Sequence, residues 1–284
     1  MSWVGNEYPY GKHVIWTQKR MSDWVAGSTP PLPKGAGPIV APTEQQAIAG
    51  VRNVIETMHP NYFGMAQAIT RFRRHKPDAF QGPDYTGPVG ERLTKIEAST
   101  RINAILTAND ADIGALADEN LPLAGLKRFK TDFRRAGMTN PLMPSWQEFN
   151  DLATVIESGQ GRNFIEAAAS FTNGHYASGL QGMKTAMGSK RFTWPIASYL
   201  PFLWRPEYHM FLKPQITTDY AERVGHPFWI EYKQGITAEV YTSLLDLVAH
   251  TRQTLIANKL APTDNIDIQS FIWVVGAYMD EPKK

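Results

Sequence analysis

The chain has 284 residues, 43% of them apolar, and its 29 Lys and Arg side chains against 27 Asp and Glu side chains give a formal charge of +2. A chain of this length can bury one sizeable hydrophobic core or two smaller ones. Because it contains no cysteine, the sequence excludes disulfide bonds, thiolate catalysis and metal sites built on cysteine. The nearly balanced charge does not identify a nucleic-acid partner, so only the distribution of basic residues can point to one.

Two further absences narrow the class of protein. No apolar run reaches the roughly 18 residues that a membrane span needs, and the N-terminal residues MSWVGNEYPYGKH lack the pattern of a signal peptide. We therefore expect a cytoplasmic protein with no membrane contact. The common phosphate-loop, dinucleotide-binding, zinc-protease and serine-hydrolase motifs are missing, and the seven histidines show no ligand spacing. We expect neither a metal nor a cofactor.

A proline-rich stretch divides the chain. Residues 28–42, STPPLPKGAGPIVAP, hold five prolines and two glycines. Since proline fixes φ and lacks an N–H donor, this stretch is typical of an extended segment. We predict an N-terminal arm and linker over 1–42 and a helical domain over 43–284. The domain is predicted either as one compact unit or as two interleaved lobes, 43–144 and 145–284.

Helical periodicity dominates the predicted domain. Thr43 and Gln46 form a capping pattern before apolar residues at helical spacing, and Asp264 or Asn265 is placed to cap a last helix. The main strand signal is the aromatic run PFWIEYKQ at 227–234. The prediction is therefore a compact, mostly α protein with few or no strands.

Two basic clusters are interleaved with aromatic residues, in RFRRHK (71–76) and KRFKTDFRR (127–135). This pattern suits contact with phosphates combined with stacking on bases. It equally fits the solvated face of amphipathic helices whose phenylalanines, Phe72 among them, lie in the core. The cationic candidates for DNA contact are Arg71, Arg73, Arg74, Lys127, Arg128 and Lys130.

The segment 188–225 has the most informative order of elements. It opens with glycine, serine and two basic residues, continues with an apolar aromatic run, passes through the extended piece HMFLKP and ends in TTDYAERVG. This order resembles the core of the helix-hairpin-helix DNA glycosylase superfamily. The resemblance implies a helical fold with a helix-hairpin-helix-like core, DNA as the partner, and excision of a damaged or modified base.

In that family a glycine-containing hairpin offers backbone N–H groups to a DNA phosphate. By this resemblance, the hairpin residues that contact DNA are Lys184, Gly188, Lys190 and Arg191. A flipped base needs aromatic walls, and the candidates for them are Trp194, Tyr199, Tyr208 and Phe211. Aromatic residues at this density also fit a hydrophobic core.

The sequence departs from the family at the position of the catalytic aspartate, because the ionisable residue within FLKPQ is Lys213. A lysine with a lowered pKa could attack C1′ as a Schiff-base nucleophile. It could instead hold a phosphate, or be a structural surface lysine. The carboxylates that would stabilise a cationic sugar or activate water are then Asp219 and Asp267. Asp267 also fits the first turn of a helix, where a negative charge favours the helix dipole.

The C-terminal run DNIDIQSFIWVVG, together with HMFLKP, resembles little-characterised bacterial proteins, some of them tied to defence against foreign DNA. The functional prediction is a DNA glycosylase-like enzyme that removes a damaged or modified base, in repair or in defence against phage with modified DNA. The alternative is a non-catalytic nucleic-acid-binding module, or an adaptor of a bacterial defence system. Release of a base separates the two, and the sequence identifies no protein partner.

Overall fold

The computed structural model describes most of the chain, namely residues 5–10, 13–29, 31–32, 36–57, 61–88, 90–107, 146–232 and 235–278. Strands lie in its N-terminal part: β1 (Glu7–Tyr10), β2 (His13–Arg20), β3 (Asp23–Thr29) and β4 (Ile39–Ala41). They form one antiparallel sheet of four strands in the order β1-β2-β3-β4. The prediction of few or no strands is therefore wrong, although the described residues are mostly helical, as predicted.

The strands were missed because their hydrophobic pattern is irregular. In β2 the buried face carries Ile15 together with the polar His13 and Thr17, whereas Val14 and Trp16 lie on the opposite face. Two polar residues thus face inward beside Ile15, and two apolar residues face outward. The alternation of hydrophobicity that marks a half-buried strand is absent from the sequence.

The first helix, α1 (Glu44–Thr57), packs on this sheet. Thr43 Oγ1 accepts a hydrogen bond from the backbone N–H of Gln46 at 3.3 Å, as the capping pattern predicts. The helix and the sheet share a small core made by Ile15, Ala26, Ala47, Val51 and Ile55. The predicted boundary between residues 42 and 43 falls between β4 and α1, which both border this core.

The other helices form the larger part of the described chain and share one continuous hydrophobic core. One of them, the helix Trp194–Trp204, is buried along its whole length. None of the helices in the described ranges combines the length and the apolar character that a membrane crossing requires. The helices are α2 (Gly64–His75), α3 (Pro83–Thr86), α4 (Glu91–Thr107), α5 (Trp146–Glu157), α6 (Gly161–Thr172), α7 (Tyr176–Met187), α8 (Trp194–Trp204), α9 (Pro214–Val224), α10 (Phe228–Glu231), α11 (Ala238–Ala257) and α12 (Asn265–Ala277).

The predicted strand at 227–234 is wrong, because residues 228–231 form the short helix α10. Pro227 precedes it with a helical backbone, φ −59° and ψ −16°. Since the proline ring holds φ near this value, the residue favours the start of a helical turn. Phe228 lies in the large helical core, while Ile230 packs against the core of the sheet. The α10 helix therefore connects the two cores.

Helices α9 and α12 approach each other closely, which matters for the site described below. Gly276 of α12 faces the backbone of α9, and a Cβ there would lie 2.4 Å from the carbonyl oxygen of Ile216. Tyr220 and Phe271 meet edge to face, with 5.9 Å between ring centroids. The missing side chain at position 276 therefore allows the close packing of the two helices.

Candidate functional site

Lys213 stands at the N-cap position of α9, directly before Pro214. It ends a short extended segment whose residues 209–212 are buried, so the packing of these neighbours fixes its backbone position. The Lys213 Nζ lies 4.2 Å from the centroid of the Trp273 ring and 6.0 Å from that of Phe211. Within the described residues it contacts no carboxylate and no hydrogen-bond acceptor. The amine is thus covered by aromatic faces rather than by polar partners.

These surroundings change the protonation of Lys213. Burial lowers its pKa to about 8, the Lys95 ammonium lowers it as well, and the Glu91 carboxylate acts in the opposite direction. At pH 7 a pKa of 8 leaves roughly 10% of the side chain as the neutral amine, against roughly 0.03% for an ordinary lysine. A neutral amine is the form that attacks carbon. The lowered pKa that a nucleophilic lysine requires is therefore present.

Lys95 belongs to α4 and contacts α12, with 3% of its surface exposed. Its Nζ donates hydrogen bonds to Glu91 Oε1 at 2.5 Å, to Ser270 Oγ at 3.0 Å and to Gln269 Oε1. An ammonium group has three N–H bonds, and each of them has an acceptor here. Lys95 is therefore a buried amine whose three N–H groups all have acceptors. Burial lowers its pKa, against the charge and the hydrogen bond of Glu91.

An arginine clamp, which we define as Tyr85, Arg92, Asp264 and Asp267, joins α4 to the start of α12. Arg92 Nη1 contacts Asp267 Oδ1 at 2.6 Å, and Arg92 Nη2 contacts Asp264 Oδ2 at 2.8 Å. Tyr85 donates its hydroxyl proton to Asp267 Oδ1 at 2.7 Å. The Asp264 side chain also accepts from the N–H of Ile266 at 2.9 Å, which confirms Asp264 as the predicted cap.

The two predicted catalytic carboxylates are both engaged away from Lys213. Asp267 is 1% exposed and accepts from Tyr85, Arg92 and the backbone N–H of Thr263. Asp219 Oδ1 accepts from Gln215 Nε2 at 2.7 Å, one turn back along α9. Asp267 therefore has a structural role in the clamp, and Asp219 belongs to a local pair on its own helix.

The carboxylate that does act on Lys213 is Glu91. Its Oε1 accepts from Lys95 Nζ and from Ser270 Oγ. Burial raises the pKa of Glu91, but the charge and hydrogen bond of Lys95 outweigh it and hold the pKa below its usual value. Glu91 is therefore an ionised group, about a third exposed, at the edge of the site.

The predicted hairpin residues lie at and after the end of α7, before α8. Gly188 ends α7 with a positive φ of 57°, which glycine adopts without strain. Lys184 and Arg191 are exposed, whereas Lys190 Nζ contacts Asp151 Oδ1 at 3.1 Å. The chain thus runs helix, short loop, helix, extended segment and helix from residue 176 to 224.

A cleft of about 520 Å³ opens between this loop and α9. We call it the loop cleft. The N-terminal ends of α8 and α9 both border it, and helix N-termini carry partial positive charge. Lys213 does not line it, because its amine turns to the Trp273 side of α9. The residues that line the cleft are Arg191, Phe192, Thr193, Trp194, Pro214, Gln215, Thr218, Tyr232 and Ile236.

The four predicted wall residues of a base pocket do not surround one cavity. Trp194, Tyr199 and Phe211 are at most 2% exposed and belong to the hydrophobic core, whereas Tyr208 is 70% exposed. Trp194 is the one among them that lines the loop cleft, and its ring stacks on Tyr241 at 6.1 Å. Tyr199 and Phe211 are therefore residues of the hydrophobic core, the alternative that the sequence left open.

The first basic cluster lies on α2. Arg73 and Arg74 are exposed, while the Arg71 guanidinium covers the ring of Phe63 at 4.0 Å. Phe72 is buried in the core, as expected of an amphipathic helix. The second cluster, with Lys127, Arg128 and Lys130, lies outside the described residues.

Three residues of the site were not singled out in the sequence: Glu91, Lys95 and Trp273. Glu91 and Lys95 are spaced i, i+4 on one helix, which ordinarily indicates a solvated surface pair. Trp273 stands inside an apolar run. The Lys213 position itself was predicted, so the missed residues are the ones that set its properties.

Comparisons of the chain with protein-family models, curated proteins and solved structures give no match. Its function therefore has to be inferred from the site.

Proposed function

We propose that the chain is a DNA glycosylase-like enzyme that excises a damaged or modified base, with Lys213 as its nucleophile. The observation that carries this proposal is the half-buried Lys213 amine, which has aromatic contacts but no acceptor among the residues that the structure describes, and a pKa of about 8. Burial and a neighbouring cation are the two ways in which proteins activate a lysine for attack on carbon.

The proposed reaction uses this amine in two steps. The Nζ lone pair forms a bond to C1′ of the nucleoside as the C1′–N bond breaks, and the base leaves with that electron pair and the proton lost by Nζ. The nitrogen then expels O4′, which takes the remaining Nζ proton, and leaves an imine between Nζ and C1′. Water hydrolyses the imine, which restores the amine and leaves an abasic site. Glu91, ionised beside Lys213, would stabilise positive charge that develops on the sugar.

The arrangement of the chain around Lys213 supports a DNA substrate. The helix, loop, helix, extended segment and helix follow one another over residues 176–224, in the order of the family that the sequence resembles. The loop cleft lies on the other side of the α9 N-terminus, with the exposed Arg191 and the aromatic Phe192 and Tyr232 in its wall. A cation combined with aromatic faces suits a phosphate and a stacked base.

Borohydride trapping tests this proposal directly. The protein is incubated with phage DNA carrying hypermodified cytosines, and with duplexes carrying one oxidised or alkylated base, in the presence of borohydride. Reduction of the imine would fix a covalent protein–DNA adduct, which mass spectrometry locates. We expect the adduct on Lys213 and a free base in solution, and loss of both, by at least 100-fold, in Lys213→Ala.

Lys259→Met is the matched control, because Lys259 is an exposed lysine after α11 and outside the site. It should trap DNA as the wild type does. An adduct on another lysine would contradict the assignment of Lys213. Absence of both adduct and released base on every substrate would contradict the enzyme itself.

A second candidate is a nucleic-acid-binding module without catalysis. The specific observation in its favour is that both aspartates considered for catalysis are engaged elsewhere, Asp267 in the clamp and Asp219 with Gln215. This candidate predicts binding to DNA that weakens steeply with salt. It predicts no adduct and no released base under the same conditions.

A further inference from the structure

Trp273 is exceptional on α12 because it is partly exposed. Every other residue of this helix from Asn265 to Gly276 is buried. Lys213, at the start of α9, is partly exposed as well, and its Nζ lies 4.2 Å from the centroid of the Trp273 ring. A molecule that reaches the Lys213 amine therefore also meets the indole ring.

The geometry of this pair is that of a cation–π contact. Such contacts form when a cation lies within about 6 Å of a ring centroid, and tryptophan gives the strongest of them. Phe211 is buried and its centroid is farther from Nζ, at 6.0 Å. Since Nζ has no hydrogen-bond acceptor in the part of the chain that the structure describes, the indole face is the group in closest contact with any charge on this nitrogen.

The proposed reaction places positive charge on this nitrogen twice. When the Nζ lone pair forms its bond to C1′, the nitrogen is positive until it passes a proton to the leaving base. It becomes positive again as it expels O4′, until O4′ takes the remaining proton. The neutral amine that starts the reaction carries no such charge. A contact that is stronger in the transition state than in the starting state accelerates a reaction.

We propose that Trp273 is a catalytic residue whose indole face stabilises the positive charge that develops on Lys213 Nζ while the amine bonds to the sugar. This inference rests on the proposed function and adds to it a group that touches the reacting nitrogen. The charged groups that act on the same amine are Lys95 and Glu91 of α4, and both are kept in every variant of the test.

The test measures imine formation at Lys213 with two substrates. One is the set of DNA substrates named above. The other is 2-deoxyribose, whose C1 aldehyde adds an amine and loses water to give an imine that borohydride reduces to a secondary amine. Mass spectrometry gives the rate of labelling at Lys213. The reactions run at about pH 9.5, where a pKa of about 8 leaves most of Lys213 as the neutral amine.

Tetrafluorotryptophan at position 273 is the deciding variant. It keeps the shape of the indole but removes most of the negative potential of its face, on which a cation–π contact depends. We expect labelling of Lys213 to slow about tenfold, with a monofluorinated ring between this variant and the wild type. Trp273→Leu should slow it at least as much. If the leucine variant does not fold, the fluorinated rings still decide the question.

Two controls accompany the fluorinated ring. Tetrafluorotryptophan at position 204 alters a core tryptophan that has no cation over its ring within the described ranges, and it should leave the labelling of Lys213 unchanged. The exposed Lys259 reports on general amine reactivity in the same samples. Its labelling should be equal in all variants.

The dependence of the effect on pH separates catalysis from packing. At about pH 6 the ammonium form of Lys213 predominates and already carries the charge that the ring stabilises. The fluorinated ring should therefore change the rate there by less than about twofold. A distorted site would instead slow labelling by the same factor at both pH values, and that result would overturn the catalytic role of Trp273.

The two substrates distinguish failure of this inference from failure of the proposed function. An unchanged rate at pH 9.5 with the fluorinated ring would overturn the role of Trp273, whichever substrate is used. Slower labelling by 2-deoxyribose, combined with no adduct on any DNA, would support the role of Trp273 and contradict DNA as the substrate. Absence of Lys213 labelling by both substrates in the wild type would overturn both proposals.

Discussion

Lys95 and Lys213 both contact α12 and are both withdrawn from water to some degree, yet their surroundings differ. Lys95 is almost fully buried and donates to three acceptors, next to an arginine clamp in which each charge has a partner. Lys213 is half-buried and rests on the ring of Trp273. Burial lowers the pKa of Lys95, but the charge and the hydrogen bond of Glu91 oppose this effect. Burial also lowers the pKa of Lys213, and no hydrogen-bond acceptor among the described residues opposes the loss of its proton.

This difference separates two roles of a polar side chain, stabilising the fold and carrying out chemistry. A group with all its partners in place is held by them, so its removal should cost stability. A group without partners should cost little when removed but should carry the reactivity. The following three changes test that comparison from its largest expected effect to its smallest.

Asp267→Ala should have the largest effect on stability. It leaves the partly buried Arg92 without one of its two carboxylates, and it removes the buried acceptor of Tyr85 and of the Thr263 N–H. Breaking a buried charge pair from one side costs about 3–5 kcal/mol. Urea unfolding followed by circular dichroism would measure the loss. Asp219→Ala is the control, since its single helix-surface contact predicts a change within about 0.5 kcal/mol. Equal losses in both variants would contradict the structural role of the clamp.

Tyr85→Phe should have an intermediate effect. It keeps the packing of the ring near Phe80 but removes the hydroxyl that donates to Asp267 at 2.7 Å. A hydrogen bond to a charged group contributes about 1.5–3 kcal/mol, and the remaining donors to Asp267 place this loss at the lower end. The same unfolding experiment applies. Tyr208→Phe, at an exposed tyrosine, should change nothing measurable, and a loss there as large as at Tyr85 would show that the assay reads something else.

Lys213→Met should have the smallest effect on stability, and a distinctive dependence on pH. The pKa of Lys213 is about 8 in the folded protein and about 10.5 in the unfolded chain. Between these values the unfolded state binds more protons, so the wild type gains stability as pH rises. The gain relative to Lys213→Met should be about 1 kcal/mol between pH 8 and pH 10.5, once solvent screening of the partly exposed amine is discounted.

Chemical unfolding at several pH values measures this difference. Lys259→Met should follow the wild type throughout the range. Below pH 6.5 the stability should also change with pH, for a different reason. Burial lowers the pKa of His226 to about 4, so every variant should lose stability as the pH falls from 6.5 toward 4. A difference between the wild type and Lys213→Met that does not vary with pH would contradict the lowered pKa of Lys213.

Local signals in the sequence predicted the parts of the site that depend on neighbours in the chain. The cap at Asp264 and the last helix follow from a capping residue before an apolar run. Lys213 was singled out by its place in an ordered series of elements, and its catalytic role stays a prediction. These features are decided within a few residues, so one sequence contains them.

The parts that were missed depend on distant contacts. Lys95 binds Gln269 and Ser270, which lie 174 and 175 positions further along the chain. Nothing near Lys95 distinguishes it from the lysine of an exposed i, i+4 pair. The role of Asp267 was left open between the helix dipole and catalysis, and only the approach of Arg92 and Tyr85 from other elements decides it. In the same way the sheet was missed because its inward face is set by α1 and not by hydrophobicity alone.

Gly276 allows α9 and α12 to pack closely because it has no side chain. Gly276 lies one turn after Trp273 on α12. The lack of a Cβ at position 276 sets the spacing of the two helices, and with it the distance between the Lys213 amine and the indole ring. Any side chain at this position would clash with the backbone of Ile216 and force the two helices apart, while every charge of the site stayed unchanged. The position of the proposed nucleophile, Lys213, therefore depends on Gly276, a residue that has no functional group.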